Sequence, residues 1–289
     1  MRPLPYRALL VAVAVVLLSL LLLLPRAPRA QASADAPDAV LALEPYRTRW
    51  ALRAVVGGQP RRYLFDTGAG LSFVSPETAR AAGCTPWGRL SGFNMFGTRI
   101  DAPRCDDVAF DAGGVRLRAP VAGVVAMAAL SASDADLDGI VGLDLFAGRA
   151  ITLDLARGRL VLESDASLAA RTRGATPLPI RVNREVAGRA LSVFAGVPSA
   201  QGTLWMELDS GNGGTVLVSR PVARALGLDS AVKERQTADF AVAAGVRVRT
   251  EHAYTPDMIM DGNLGMPFLR AWVVTLDLRA GRGWIAPAG

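Results

Sequence analysis

Two acidic tripeptides carry the chemistry open to this chain. Asp66-Thr67-Gly68 ends an apolar run in the first half, and Asp209-Ser210-Gly211 ends one in the second. All three residue types favour tight turns, so each tripeptide is predicted to close a strand and leave one carboxyl at the turn. Two such turns facing one another make a carboxyl pair. Carboxyls about 3 Å apart do not both ionise; they share a proton and titrate as a unit. The ionised member takes a proton from water, which attacks a carbonyl, and the neutral member donates a hydrogen bond to the developing oxyanion. That scheme needs no metal, no cofactor and no covalent intermediate.

The rest of the inventory offers little competition. The single histidine, His252, would have to serve any Ser-His or Cys-His nucleophile, and no Gly-x-Ser-x-Gly elbow is present. Two cysteines and one histidine do not make the usual nitrogen and sulfur zinc sites. No glycine-rich phosphate loop with its lysine opens a helix.

The elements around the two tripeptides repeat. Asp66 is followed by an apolar stretch, Ser75-Pro76 and the helix-like Ala79–Gly83; Asp209 is followed by Val216–Val218, Ser219-Arg220-Pro221 and Ala223–Gly227. Farther on, Asp138-Gly139-Ile140-Val141-Gly142 matches Asp261-Gly262-Asn263-Leu264-Gly265, and Thr152–Leu155 matches Thr275–Leu278, both at an offset of 123 residues. A constant offset marks a duplication. The halves differ between Asp66 and Asp138, 72 residues apart, and Asp209 and Asp261, 52 apart. The surplus is the size of a hairpin with its turn. It falls on the glycine-punctuated Arg89–Ile100, which reads as a flap present once, with Phe93, Asn94, Met95 and Phe96 at its substrate-facing part.

Asp138, Asp154, Asp261 and Asp277 read as scaffold residues that cap turns and strands. Alternating runs such as Val115–Val125 and Ala150–Leu162, with few long helical stretches, indicate a mostly β fold. Glu163–Pro177 reads as a linker, giving lobes at 35–170 and 171–289. Cys84 and Cys105 flank the flap, either bonded at its base or packed as free thiols.

Residues 1–34 read as a targeting segment. Arg2 and Arg7 precede the apolar run Ala8–Leu24, and Ala32-Ser33-Ala34 offers a small-residue cleavage site. The run fits either a cleaved signal peptide or a retained membrane anchor, and either places the domain outside the cytoplasm, in a periplasmic or other extracytoplasmic space. Four of the 32 basic residues and none of the 26 acidic ones lie in this segment, so the formal charge of +6 falls to +2 without it. The remaining basic residues are scattered and form no basic stripe with interleaved aromatics, so no nucleic-acid partner is expected.

The Asp-Thr-Gly-Ala-Gly at 66–70, the Asp-Ser-Gly at 209–211 and the glycine segments at 139–142 and 262–265 resemble the retropepsin-like and pepsin-like aspartic peptidases, in the bacterial-type form with two fused lobes. The resemblance spans nearly all of the chain after residue 34. It implies two pseudo-twofold-related β lobes with a cleft between them, Asp66 and Asp209 as the catalytic dyad, and an extended peptide or protein substrate bound by a monomeric unit without cofactor. It also implies that Thr67 and Ser210 bond across the pseudo-twofold, that Gly68 and Gly211 permit the turns, and that the flap excludes water. Two departures stand out. Asn212-Gly213-Gly214 lengthens the second loop by one residue, and Asn263 occupies a position where the family prefers an apolar side chain. The function predicted is an exported aspartic endopeptidase. The alternative is a peptide-binding or scaffold domain that keeps the duplicated fold without catalysis.

Overall fold

The computed structural model describes residues 35–289. The leader segment 1–34, cleaved or retained, lies outside the described residues. Among the described residues no helix is long and apolar enough to cross a membrane.

Residues 35–289 form one compact unit. Two sheets with the same internal order make its lobes. In the first, the strands run Ala39–Tyr46, Arg49–Val56, Gln59–Phe65, Gly139–Val141, Phe73–Val74, Val115–Val124, Arg99–Ala112 and Trp87–Phe93. In the second they run Ile180–Asn183, Ser192–Ser199, Gly202–Leu208, Gly262–Leu264, Val216–Val218, Val246–Tyr254 and Gln236–Ala243. Strand for strand the orders coincide, and Trp87–Phe93 alone has no counterpart. That extra strand is the outer arm of the hairpin inferred from the length difference.

The first sheet continues through a base built from both halves of the chain: Arg159–Glu163, Ala150–Asp154, Trp272–Asp277, Arg282–Pro287 and Thr176–Leu178. At its centre Thr152 lies opposite Thr275 in the antiparallel register, and their hydroxyls meet at 2.9 Å. These are equivalent residues of the repeat, so the pseudo-twofold axis passes between them.

The glycine segments explain the placement of the acidic turns. Gly139–Val141 pairs in parallel with Gln59–Phe65, and Gly262–Leu264 with Gly202–Leu208. Both short strands are buried throughout, as strands covered on two faces must be. They run directly beneath the strand that ends in each aspartate. A Cβ at Gly139 or Gly262 would strike the backbone of the neighbouring strand, at Phe73 and Leu217 respectively, so only glycine permits that approach.

Two local expectations are corrected. Ala150–Leu162 is a hairpin of two strands, Ala150–Asp154 and Arg159–Glu163, rather than one. Glu163–Pro177 is largely a helix, Asp165–Thr172, rather than a plain linker. Ser164 caps it by accepting from the Ser167 amide at 3.0 Å, and Asp165 sits in the first turn, where negative charge meets the helix dipole.

Cys84 and Cys105 form a disulfide that joins the segment leading into the strand Trp87–Phe93 to the strand Arg99–Ala112, at the base of the flap hairpin. The bond closes a loop with a sequence separation of 21. Its removal by Cys84→Ser with Cys105→Ser is expected to lower stability by about 3 kcal/mol, from the loop entropy returned to the unfolded chain. Urea unfolding of the two proteins side by side checks this.

Candidate active site

The two acidic turns meet on the pseudo-twofold axis. The hydroxyl of Thr67 donates to the Leu208 carbonyl at 2.6 Å and accepts from the Ser210 amide at 2.9 Å. Symmetrically, the Ser210 hydroxyl donates to the Phe65 carbonyl at 2.8 Å and accepts from the Thr67 amide at 3.0 Å. Both side chains are fully buried, so each of these four bonds replaces a solvation that water cannot supply. Thr67→Val strands a buried carbonyl and a buried amide. It is expected to cost about 2–4 kcal/mol in urea unfolding, with Thr67→Ser recovering most of the loss.

The clasp brings the carboxyls together. The Asp66 carboxyl lies within the electrostatic reach of the Asp209 carboxyl across the axis. Each carboxyl also lies over the glycine of the opposite turn: a Cβ on Gly211 would collide with the Asp66 carboxyl, and one on Gly68 would stand 2.8 Å from Asp209 Cγ. The glycines thus serve the carboxyl contact as well as the turns. Burial, then the neighbouring Asp209 carboxyl, hold the Asp66 carboxyl well above the usual range, opposed by the Gly68 amide and the Arg49 guanidinium. One proton between two facing carboxyls is the state this arrangement favours.

The buried polar contacts packed against the two acidic loops differ. Under the first, Ser72 Oγ donates to Asp144 Oδ1 at 2.7 Å, and the Ser72 amide reaches Asp144 Oδ2 at 3.0 Å. Under the second, Asn263 Nδ2 donates to Asp209 Oδ2 at 2.7 Å, and Asn263 Oδ1 accepts from Asn212 Nδ2 at 2.9 Å. The buried asparagine is therefore fully partnered. Next to it Glu207 is also buried, its carboxyl pushed up by burial and by the charges of Asp209 and Asp66.

Sequence reasoning singles out Asn263 but misses Glu207 and Arg49. Glu207 is detectable: it is the acidic residue in the otherwise apolar run that leads into Asp209. Arg49, paired with Asp134 at 2.5 Å, carries no motif. Two of the scaffold aspartates hold backbone across the repeat. Asp138 accepts from the Arg62 amide at 2.9 Å and Asp261 from the Trp205 amide at 2.8 Å. His252 is exposed on the strand Val246–Tyr254 and lies outside the site.

The flap is the hairpin Trp87–Phe93 with Arg99–Ala112, turning at 94–98. Asn94 shapes the tip: its Oδ1 accepts from the amides of Phe96 at 3.0 Å and Thr98 at 2.9 Å. Leu90 packs with Leu71 of the first acidic loop, which anchors the hairpin beside Asp66. The tip touches the opposite lobe, where the Ile259 amide donates to the Met95 carbonyl at 3.1 Å. Ile259 also closes on the tip at Gly97, where a Cβ would stand 3.2 Å from Ile259 Cγ2; Phe93, Phe96 and Ile259 are 66%, 53% and 62% exposed.

Residues 52–145 match the aspartyl protease family. That segment contains the first acidic turn, the flap and the first glycine segment. No curated protein sequence matches the chain. Among solved structures the chain is similar to basic 7S globulin from soybean, with TM-score 0.55 and 11% identity over 87% of this chain and 95% of that one. It is also similar to conglutin gamma, a basic 7S globulin from lupine seeds, with TM-score 0.57 and 11% identity over the same shares of each chain. At such identity the likeness establishes the fold. It is the aspartic-peptidase fold, with two pseudo-twofold-related β lobes, a cleft between them and a single flap in the N-terminal lobe.

Proposed function

We propose that the protein is an aspartic endopeptidase in which Asp66 and Asp209 form the catalytic dyad. The observation that carries the reading is the facing of the two carboxyls, each seated over the glycine of the opposite turn and held there by the Thr67–Ser210 clasp. A binding domain with a misplaced second aspartate would separate them by several ångströms, so the contact favours the enzyme. The ionised carboxyl removes a proton from a water as that water attacks the scissile carbonyl. The neutral carboxyl passes its proton to the carbonyl oxygen, giving a tetrahedral diol. Collapse of the diol breaks the carbon–nitrogen bond as a proton reaches the leaving amine. The product is a free carboxyl and a free amine, and the dyad returns with one proton.

The flap tip, Phe93, Asn94, Met95 and Phe96, covers the substrate and excludes water from the cleft. An extended peptide lies between flap and dyad, held by backbone hydrogen bonds. The leader directs the domain out of the cytoplasm, where the Cys84–Cys105 bond persists.

The test is digestion of a denatured protein by the full chain from pH 3 to pH 7, beside Asp66→Ala and Asp209→Ala proteins shown to be folded. Cleavage by the parent and by neither variant supports the dyad. A folded parent that cuts no substrate in a broad peptide library overturns the peptidase reading and leaves the binding domain.

A further inference from the structure

The two halves present different surroundings to their aspartates, and the difference is directional. In the first lobe the strand ahead of Asp66 and the glycine segment beneath it meet at Leu64 and Ile140, an apolar pair in register. The equivalent pair in the second lobe is Glu207 and Asn263. From this polar pair Asn263 Nδ2 reaches Asp209 Oδ2 at 2.7 Å and Glu207 Oε2 at 3.4 Å.

The orientation of that amide is fixed from outside. The Thr215 amide, a donor only, points at Asn212 Oδ1 at 3.2 Å, and the Thr215 hydroxyl joins it at 2.8 Å. Asn212 must therefore turn its Nδ2 the other way, to the Thr215 carbonyl at 3.1 Å and Asn263 Oδ1 at 2.9 Å. Asn263, with its oxygen so occupied, has only its N–H groups left for Asp209. The chain of bonds runs one way, from a backbone amide to a carboxylate. Asn212 and Thr215 bracket the lengthened Gly213-Gly214 loop, so the two departures from the family pattern meet in one chain of hydrogen bonds.

The count of donors follows. Asp209 accepts three N–H groups: Gly211 at 2.7 Å and Asn212 at 3.1 Å on Oδ1, and Asn263 on Oδ2. Asp66 accepts one, from Gly68 at 2.9 Å. N–H donors favour the charged form of a carboxyl.

We infer that Asn263, aimed by Asn212 and Thr215, is a positioning residue that fixes Asp209 as the ionised, proton-accepting member of the dyad and leaves the proton on Asp66. The inference rests on the dyad reading above and assigns its two roles. The charged groups facing the pair are Arg49 on the Asp66 side and Glu207 on the Asp209 side, with Glu185 facing Glu207 in turn. Burial and the neighbouring carboxylates favour a neutral Glu207, so it adds no competing charge beside Asn263.

Carbon-13 carboxyl titration of the full chain tests this without reference to turnover. In an Asp66→Asn protein, which retains Asp209, adding Asn263→Leu is expected to raise the Asp209 titration midpoint by about one to two pH units. In an Asp209→Asn protein, which retains Asp66, the same change is expected to move the midpoint by less than about half a unit. Asn212→Ala, which leaves Asn263 in place but unaimed, is expected to give part of the Asp209 shift. A Glu207→Leu with Asn263→Ile protein copies the apolar pair of the first lobe and guards against a variant that does not fold. Equal shifts at both aspartates, or no shift at Asp209 in folded variants, overturn the inference. Absence of cleavage by the parent chain is a separate result that would overturn the peptidase reading alone.

Discussion

Asp66→Asn is expected to abolish cleavage, by about 10⁴-fold in kcat/KM, and at the same time to make the protein more stable at neutral pH. The two effects have one cause. The introduced carboxamide would reproduce the neutral acid: its oxygen would accept the Gly68 amide, and its Nδ2 would face Asp209 as a donor, as a protonated carboxyl would. What it lacks is a proton to give to the carbonyl oxygen. The stability gain follows from linkage. Burial and Asp209 raise the folded-state pKa of Asp66 above its unfolded value, so the folded chain prefers the protonated form. The stabilisation from that preference is present at low pH and lost as pH rises through the folded pKa. An amide is neutral at every pH and escapes the loss. Peptide hydrolysis rates and urea unfolding at pH 7 check the two halves together. Reduced stability with reduced activity would mean that the substitution had damaged the turn.

The fold is expected to be most stable in acid, near about pH 4. Asp144 is buried and pushed up to about 6, opposed by the bonds from Ser72. Between the unfolded value of 3.8 and about 6 the folded state holds more protons than the unfolded one, so stability falls as pH rises. The span corresponds to about 3 kcal/mol for this one group. Glu207 and Asp66 act in the same direction. Below that window the sign reverses. Burial pushes Asp134 and Asp277 up, but Arg49 holds the first below its ordinary value, and Arg282 and Arg279 hold the second. Their contribution is present above the unfolded pKa and lost as pH falls through the folded one. Melting temperature measured from pH 2 to pH 8 should therefore pass through a maximum. Asp144→Asn should flatten its alkaline side, and an alkaline side as steep as the parent's would remove Asp144 as the source.

The acidic turns, the downstream glycine segments and the single flap are legible in the sequence because duplication wrote each pattern twice, and a constant offset needs no knowledge of contacts. Asn263 is legible as a departure for the same reason. Its partners are not. That Asn212 aims Asn263 depends on a side-chain contact across 51 residues, and nothing in the spacing dictates which face of each amide turns inward. Glu207 can be placed only once the register pairs it with Asn263. The helix Asp165–Thr172 reads as a linker because Ser, Thr, Pro and Gly flank it. Those residues are its cap and its exit, and buried Ser167 and Leu168 reveal that the segment packs.

The contact between Thr152 and Thr275 bears on how such a site could have arisen. If each half were a separate subunit, these two threonines would be one residue touching its own mate across a true dyad. An isologous dimer of that kind must give both aspartates identical neighbours, since one gene specifies both. Joining the halves in one chain lifts that requirement. Each half can then mutate alone, so a Leu–Ile pair under one carboxyl can coexist with a Glu–Asn pair under the other. Inherited asymmetry of this kind is open only to the fused chain; a symmetric ancestor would have had to break its symmetry afresh each time it bound a substrate.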